Sequence, residues 1–298
     1  MSVFRAGAVA LITGGASGVG FAMAQICRKH SMNLALLDIN SSNLAKAASA
    51  LPSTSTTKTE TYTIDVGDLS AWQTLLPKIT SAFPAIDLLI LNAGASFRPS
   101  GDLTHWTDAS YFQKTMHVNL FGIINGLATF LPIMQKNSNT PSTIILTGSK
   151  QGITNPPGDP AYNASKSAVK TLAEHLAHDL RRTNANISVH LLIPGWTFTG
   201  LSGNSGPTAD EEALKSKKAG AWLPSQVAEY AEQKIGEGKF YIVCPDNDVY
   251  EELDQARMQW GAGDWIEGRG ALTRWDPKYK DEAAEWIMKE AERRKGVK

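Results

Sequence analysis

Residues 8–20 read AVALITGGASGVG, and this stretch decides the fold class. Its apolar first half has the composition of a strand buried on both faces. Gly14, Gly18 and Gly20 follow, where a tight turn, a close backbone approach and helix packing each forbid a Cβ. Helical spacing then begins in FAMAQICRKH (21–30). A strand, a glycine turn and a helix whose first N–H groups are free together predict a site for a pyrophosphate.

The same alternation of short apolar runs and helix-like segments continues along the chain. The runs are residues 8–15, 33–40, 60–66, 86–94, 142–149, 187–195 and 239–245. Continuous apolar strands separated by helices predict an α/β fold, here a Rossmann-type, doubly wound, seven-stranded parallel sheet with helices on both faces. Its crossovers should be right-handed. We expect a single dinucleotide-binding and catalytic domain over residues 1–247.

Two segments do not fit this pattern. Residues 200–224 are rich in Gly, Ser and charge, and their place between a strand and a helix predicts a lid over the substrate. Residues 248–298 form a C-terminal extension with four tryptophans, Trp260, Trp265, Trp275 and Trp286. Such a content of tryptophan predicts that the extension packs on the domain or at a subunit interface.

The bulk properties exclude several classes of partner. The 29 basic and 29 acidic residues give a formal net charge of zero, so charge supplies no reason to expect a nucleic acid or an anionic membrane as partner. Cys27 and Cys244 have no paired spacing and predict reduced, buried thiols in a cytoplasmic protein. The N-terminus lacks the pattern of a signal peptide. The longest apolar stretch, 120–134, is too short to span a bilayer and predicts a helix buried on more than one side.

Asp38 ends the second apolar run, eighteen residues after Gly20. A carboxylate at this place accepts both hydroxyls of an adenosine ribose and repels a 2′-phosphate. An ordinary turn or helix-capping aspartate is the alternative interpretation. No Arg or Lys occurs within residues 13–20 or directly after Asp38. The sequence therefore favours NAD (NADH) over NADP.

Tyr162 and Lys166 lie in AYNASKSAVK (161–170), four residues apart among small side chains. On a helix this spacing places a phenol and an ammonium on one face, one turn apart. An incidental surface pair explains this stretch equally well when it is considered alone.

Several motifs, taken in order, resemble those of the classical short-chain dehydrogenase/reductase family. They are T-G-x-x-x-G-x-G at 13–20, Asp65–Val66, N-A-G at 92–94, Asn119, Ser149, Y-x-x-x-K at 162–166 and P-G at 194–195. The resemblance covers about residues 5–245, and Ser149 stands thirteen residues before Tyr162, as the family pattern requires.

The resemblance implies a catalytic set of Asn119, Ser149, Tyr162 and Lys166 and a reaction between an alcohol and a ketone or aldehyde. A free tyrosine has a pKa near ~10, so Tyr162 needs Lys166 and an oxidised nicotinamide to lower it. Tyr162 is then the general acid/base, and Ser149 binds the same substrate oxygen. Asn119 would position a water that links Lys166 to solvent; bonding to helix backbone is its alternative role.

The resemblance also implies which residues bind the cofactor. Asp65 would bond the adenine amino group, Thr197 the carboxamide through its backbone and Thr199 the carboxamide through its hydroxyl. The family usually has an aliphatic residue where Thr197 stands. The complete cofactor set is Gly14, Ser17, Gly18, Val19, Gly20, Asp38, Asp65, Val66, Asn92, Ala93, Gly94, Tyr162, Lys166, Pro194, Gly195, Thr197 and Thr199.

Other candidate residues are less specific. Gln151, Phe97, Trp196 and Trp222 are pocket candidates for a small-molecule alcohol or ketone substrate, and core packing explains the aromatic ones equally well. Lys150 is expected to point away from the pocket, because side chains alternate along a strand. His175 and His178 are three residues apart, but no third ligand is apparent, so no metal is expected.

Two alternative functions share this scaffold. One is an epimerase or dehydratase that uses NAD transiently, and the other is a non-catalytic NAD-binding regulator. The glycine spacing argues against the first, and the complete catalytic set argues against the second. The family commonly pairs the helices near 108–136 and 160–182, which implies a homodimer or homotetramer.

Overall fold

The computed structural model describes residues 2–52, 55–137, 140–183, 186–246 and 248–296. Residue 247, where the sequence predicts the boundary between domain and extension, lies outside the described residues. Seven strands form one sheet, and every pair of neighbours is parallel. The strands are β1 (Val9–Thr13), β2 (Asn33–Asp38), β3 (Thr59–Thr63), β4 (Leu88–Leu91), β5 (Ser142–Thr147), β6 (Ile187–Ile193) and β7 (Tyr241–Val243).

The strand order is β3-β2-β1-β4-β5-β6-β7, so the direction of winding reverses between β1 and β4. The predicted doubly wound sheet of seven parallel strands is therefore confirmed. Ligands of such sheets bind beyond the carboxyl ends of the strands at this reversal. The turns after β1, β4 and β5 meet there, which brings residues from distant parts of the sequence into one site.

Helices cover both faces of the sheet. The α-helices of the described residues are α1 (Gly18–Lys29), α2 (Ser41–Ala50), α3 (Leu69–Ala82), α4 (Ala109–Met116), α5 (Gly122–Lys136), α6 (Gln151–Thr154), α7 (Pro160–Thr183), α8 (Asp210–Ser216), α9 (Pro224–Gly236), α10 (Glu251–Ile266) and α11 (Lys280–Lys295), of which α10 and α11 belong to the C-terminal extension. One core packs the α1 and α9 side of the sheet around Met23 and Leu36. The other packs α3, α5 and α7 around Trp72 and Phe130.

The region 109–136 is helical throughout but contains one π-turn, His117–Phe121, between α4 and α5. By length and composition it is the one helix of the described residues that is apolar enough to cross a membrane. It packs against the sheet through residues such as Ile123 and Phe130. The expectation of burial on more than one side is wrong for the single chain. Phe121 is 50% exposed, because the face of α5 turned away from the sheet has no cover.

The C-terminal extension folds into a helical hairpin of α10 and α11. Trp260 is buried and packs against Trp286 with the rings tilted and their centroids 5.5 Å apart, and the Arg269 guanidinium lies 4.1 Å from the centroid of the Trp260 ring. The contacts of these two tryptophans thus lie within the extension itself, and packing of the extension on the domain or at a subunit interface stays a prediction. Trp265 is 90% exposed and packs on neither helix.

Candidate active site

The glycine turn after β1 is as tight as the sequence predicts. Gly14 and Gly18 have φ values of +63° and +51°, which favour glycine. A Cβ at Gly20 would lie 2.1 Å from the Gly14 carbonyl oxygen. Ser17 precedes α1 in extended conformation, and Val19 is buried beneath the first turn of the helix. The turn leaves the amino-terminal end of α1 facing the carboxyl edge of the sheet, where an anion is favoured.

Asp38 holds this turn from the end of β2. One carboxylate oxygen accepts the backbone N–H of Ala16 at 3.2 Å, and the other accepts that of Asn40 at 3.0 Å. Each oxygen can accept a further hydrogen bond, so the carboxylate can still serve the ribose hydroxyls. The two roles proposed from sequence, turn aspartate and ribose ligand, are therefore compatible.

Asp65 has a partner that the sequence did not indicate. Its carboxylate accepts the backbone N–H of Gly67 at 2.9 Å and lies 3.1 Å from Nε2 of His117. The imidazole comes from the π-turn and sits over Gly67, where a Cβ would be 2.3 Å from the ring. Val66 is buried beside Asp65. His117 therefore belongs to the surroundings of the predicted adenine site.

The N-A-G segment is fixed to β1 by a residue that sequence reasoning missed. The Thr13 hydroxyl accepts the backbone N–H groups of Asn92 and Ala93 at 2.9 and 3.1 Å. Asn92 in turn donates to the Thr13 carbonyl at 3.2 Å. At Gly94 a Cβ would stand 3.4 Å from the ammonium of Lys166. This glycine thus leaves the space between the predicted cofactor site and Lys166 free of a side chain.

Tyr162 and Lys166 lie on one face of α7, as their spacing predicts. The Lys166 ammonium is 5.7 Å from the Tyr162 ring centroid and donates to the Thr147 carbonyl at 2.8 Å. Ser149 follows β5 and hydrogen-bonds to the Tyr162 hydroxyl. Three elements, β5, α7 and the turn after β5, therefore bring the predicted phenol, ammonium and hydroxyl together.

Burial dominates the acid–base properties of this group. It raises the pKa of Tyr162, the Ser149 hydrogen bond lowers it, and the charge of Asp159 raises it. Burial also lowers the pKa of Lys166 to about 8. Both shifts disfavour the charged forms, so the protein alone keeps Tyr162 protonated at neutral pH. A nearby positive charge is required to make its proton mobile.

Asn119 lies in the π-turn, fully buried. Its side chain accepts the N–H of Ala95 at 2.8 Å and donates to the carbonyl of the same residue at 2.9 Å and to the Ser165 hydroxyl at 3.1 Å. Its amide thus joins the loop after β4 to α7. This arrangement differs from bonding to its own helix, the alternative weighed from sequence. A π-turn re-aims a side chain without ending the helix, and such turns are frequent at functional sites.

The segment after β6 closes the site from the other side. Pro194 and Gly195 follow the strand directly, and the Thr197 carbonyl accepts the Ser202 hydroxyl at 2.8 Å. Thr199 approaches the glycine turn so closely that a Cβ at Gly18 would be 3.1 Å from its methyl group. The predicted lid, residues 200–224, continues from there and contains α8.

The lid also reaches α2. The Asn43 side chain donates to the Ser205 carbonyl at 2.7 Å, and a cleft of about 450 Å³ lies between α2 and residues 203–208. The predicted lid therefore approaches the side of the site where the sequence predicts the adenosine end of the cofactor.

The pocket candidates differ in their surroundings. Trp196 is 46% exposed, Gln151 is exposed and Phe97 is half-buried, so these three have free surface. Trp222 packs against the core and against Tyr230, with ring centroids 5.9 Å apart. Its surroundings are those of a packing residue. Among the described residues, no group of three or more His, Cys, Asp or Glu is placed to hold a metal ion.

Comparison with known proteins decides the family. A profile of the short chain dehydrogenases matches residues 8–210. The chain belongs to the short-chain dehydrogenase family. This short-chain dehydrogenase is 30% identical over 227 residues to a 3-oxoacyl-acyl-carrier-protein reductase from Thermotoga maritima, covering 75% of the chain and 88% of that relative.

Two solved structures show the same architecture. A short-chain dehydrogenase/reductase from Burkholderia phymatum in complex with NAD is 29% identical, has a TM-score of 0.76 and covers 91% of this chain and 98% of its own. An alcohol dehydrogenase from Thermococcus sibiricus complexed with 5-hydroxy-NADP is 23% identical, has a TM-score of 0.63 and covers 77% and 90% of the two chains. The family is one of oxidoreductases, and relatives with this fold bind NAD or an NADP derivative.

Proposed function

We propose that this protein is an NAD(H)-dependent oxidoreductase that interconverts a secondary alcohol and a ketone, or a primary alcohol and an aldehyde. The observation that carries the proposal is the convergence of Ser149, Tyr162 and Lys166 at the carboxyl edge of the sheet. This site adjoins the glycine turn after β1. A Cβ at Gly14, Gly18 or Gly20 would meet neighbouring atoms, and the absence of side chains there lets a dinucleotide approach the backbone closely. The nicotinamide supplies the hydride chemistry when it is bound.

Tyr162 handles the proton in this mechanism. In reduction its hydroxyl gives a proton to the carbonyl oxygen of the substrate, and in oxidation its phenolate removes the proton of the alcohol. The Lys166 ammonium, 5.7 Å from the Tyr162 ring centroid, and the positive charge of an oxidised nicotinamide would together favour the phenolate against the effect of burial. The Ser149 hydroxyl donates to the same substrate oxygen and stabilises the charge that develops there. Asn119 keeps α7 and the loop after β4 in register.

Asp38 supports NAD as the cofactor. Its carboxylate ends β2 beside the glycine turn, and a 2′-phosphate at this point would meet a negative charge. We expect kcat/KM with NAD⁺ to exceed that with NADP⁺ at least tenfold. Asp38→Ser should reduce this ratio, because the repulsion and the ribose hydrogen bonds are lost together.

The decisive experiment is a panel of alcohols with NAD⁺ and NADP⁺, and of ketones and aldehydes with NADH and NADPH. Tyr162→Phe should lower kcat by roughly 10²–10⁴-fold while NADH still binds. Tyr279→Phe, the same change in the extension, is the matched control and should leave kcat unchanged. Turnover without net NADH formation would indicate the epimerase or dehydratase alternative. Full biological function of the Tyr162→Phe variant would indicate a regulator.

We further propose a homodimer or homotetramer in the cytoplasm. Phe121, Ile124, Ala128 and Leu131 leave an apolar stripe on α5 partly or largely exposed in the single chain, and a second copy would cover it. Phe121→Glu should reduce the mass measured by light scattering, and an unchanged mass would refute this face as the interface.

Burial raises the pKa of the Cys244 thiol to about 12, which suits a free thiol in a reducing compartment such as the cytoplasm.

A further inference from the structure

Lys150, the residue after Ser149, carries a buried positive charge that the mechanism above does not use. β5 ends at Thr147, so the strand alternation from which its direction was predicted does not apply. Its backbone N–H donates to the Pro194 carbonyl at 3.2 Å. Its side chain is only 11% exposed and runs away from Tyr162 towards the C-terminal extension. The lysine therefore lies between the catalytic serine and the segment after β6.

Two aspartates share the Lys150 ammonium. Asp246, just after β7, lies 3.3 Å from it, and Asp254 on α10 forms a second ion pair. The Asp254 side chain is 3% exposed. Arg257 and Arg274, both in the extension, also lie within electrostatic range of Asp254. A buried ammonium needs such paired carboxylates, because water cannot solvate it there.

The same cluster holds the backbone that follows β6. Asp246 accepts the backbone N–H of Trp196 at 3.2 Å. A Cβ at Gly195 would lie 2.5 Å from the Asp246 carboxylate and 2.9 Å from the Lys150 ammonium. A side chain at this point would therefore have to displace the ion pair of Asp246 and Lys150. One ion cluster thus joins the neighbour of Ser149, the residues 194–196 and the extension.

We propose that the C-terminal extension is a positioning element of the active site, in which Asp254 acts through Lys150 and Asp246 to fix Ser149 and the backbone of 194–196. The inference rests on the proposed function, because the positions of Ser149 and of residues 194–196 affect turnover only if these residues bind the substrate and the nicotinamide. Loss of the Asp254 charge leaves Lys150 paired with Asp246 but removes the ion pair that ties Lys150 to the extension. The serine hydroxyl should then move relative to Tyr162, and small misplacements of this kind lower kcat strongly.

The extension offers a matched control for this idea. Asp264 also lies on α10 and is nearly as buried, with its side chain 8% exposed. Its carboxylate accepts Nε of Arg269 at 3.0 Å and the Thr273 hydroxyl at 2.5 Å, so its partners belong to the extension. Asp254→Asn and Asp264→Asn therefore remove the same charge from the same helix. They differ in whether that charge touches the catalytic domain.

The experiment compares the two variants with the wild type in kcat, substrate KM, NADH dissociation constant and melting temperature. Asp254→Asn should lower kcat about 10- to 100-fold and leave the NADH dissociation constant within about twofold. Asp264→Asn should lower the melting temperature comparably and keep kcat within about twofold. Equal losses of kcat in both variants, or none in Asp254→Asn, would overturn the proposal. If Asp254→Asn does not fold, Lys150→Met/Asp254→Leu removes both charges together, and full kcat in it would also overturn the proposal.

Failure of this proposal and failure of the proposed function can be distinguished. Tyr162→Phe probes the chemistry, and its loss of activity stands whatever the extension does. An active wild type with an unaffected Asp254→Asn variant refutes the positioning role alone. A wild type that turns over no alcohol or carbonyl compound refutes the proposed function itself.

Discussion

Replacing Lys166 with methionine should abolish turnover and yet stabilise the folded protein. The Lys166 side chain is buried with its ammonium, and burial lowers its pKa from 10.5 to about 8. At pH 7 the lysine is charged in both the folded and the unfolded chain, so folding removes a charge from water. Methionine fills a similar volume without that cost. The catalytic requirement for an ammonium thus opposes stability at this position.

The size of the effect follows from the pKa shift and one hydrogen bond. A difference of about 2.5 pKa units corresponds to about 3 kcal/mol at 1.36 kcal/mol per unit. The hydrogen bond to the Thr147 carbonyl, 2.8 Å long, offsets about 1 kcal/mol of this. The net gain for Lys166→Met at pH 7 is therefore about 2 kcal/mol. With an unfolding entropy of about 2.1 cal/mol/K per residue, this raises Tm by about 3 °C.

The pH dependence of this stability difference identifies the buried Lys166 ammonium as its cause. Between pH 8 and 10.5 the unfolded chain binds a proton at Lys166 that the folded protein does not, so the stability of the wild type rises with pH in this window. The advantage of Lys166→Met should accordingly be complete below pH 8 and shrink as the pH approaches 10.5. Denaturant titrations of the cofactor-free proteins at equal concentration at pH 7 and 10 measure it.

The control is Lys170→Met, one turn further along α7. Lys170 is ion-paired with Glu174 and its side chain is 35% exposed, so its loss should change stability by less than about 0.5 kcal/mol. A Lys166→Met variant less stable than the wild type at pH 7, or a difference that does not change with pH, would refute the reasoning.

Three further predictions concern the pH profile, the cofactor and the extension. Asp159→Asn removes a negative charge that raises the pKa of Tyr162, so the acid limb of the kcat profile for alcohol oxidation should move to lower pH; an unmoved limb would contradict this. Gly20→Ala places a Cβ 2.1 Å from the Gly14 carbonyl oxygen and should weaken NADH binding at least about tenfold in a fluorescence titration. Gly261→Ala, inside α10 with no atom within 4 Å of the added Cβ, should raise the free energy of unfolding by about 0.5–1 kcal/mol at unchanged kcat; destabilisation would show that this helix is strained.

Sequence patterns were sufficient for the sheet because most of its strands are continuous apolar runs; β3, with the sequence TETYT, is the clear exception and is located by the apolar residues that follow it. The ends of the strands were less accurate. The run 86–94 predicts a longer strand than Leu88–Leu91, because the chain leaves the sheet at Asn92 and its backbone N–H bonds to the Thr13 hydroxyl instead. Hydrophobicity does not distinguish a residue whose backbone pairs with a neighbouring strand from one whose backbone bonds to a side chain. The run 142–149 was too long for the same kind of reason, since Ser149 and Lys150 belong to a turn.

The site was predictable where one element carries several of its residues. The shared helix face of Tyr162 and Lys166 follows from their spacing, although their predicted role also needed Ser149 and the family motifs, and the glycine turn depends on its local backbone. The contacts that join distant segments left no local signal. His117 beside Asp65 and Lys150 between Asp246 and Asp254 arise from the packing of separate elements. The π-turn also escaped prediction, because its residues continue the helical pattern on both sides.

The ion cluster around Lys150 also has a consequence for the order of events during synthesis. Lys150 leaves the ribosome before either of its partners, and Asp254 follows it by 104 residues. At roughly 5–20 residues per second, this delay is about 5–20 s. During that interval the strands up to β6 can pair, but the Lys150 ammonium would be buried without the counter-charge that Asp254 supplies. We therefore expect Ser149 to reach its final place only after translation of α10, so that the proposed active site forms later than the sheet that carries it.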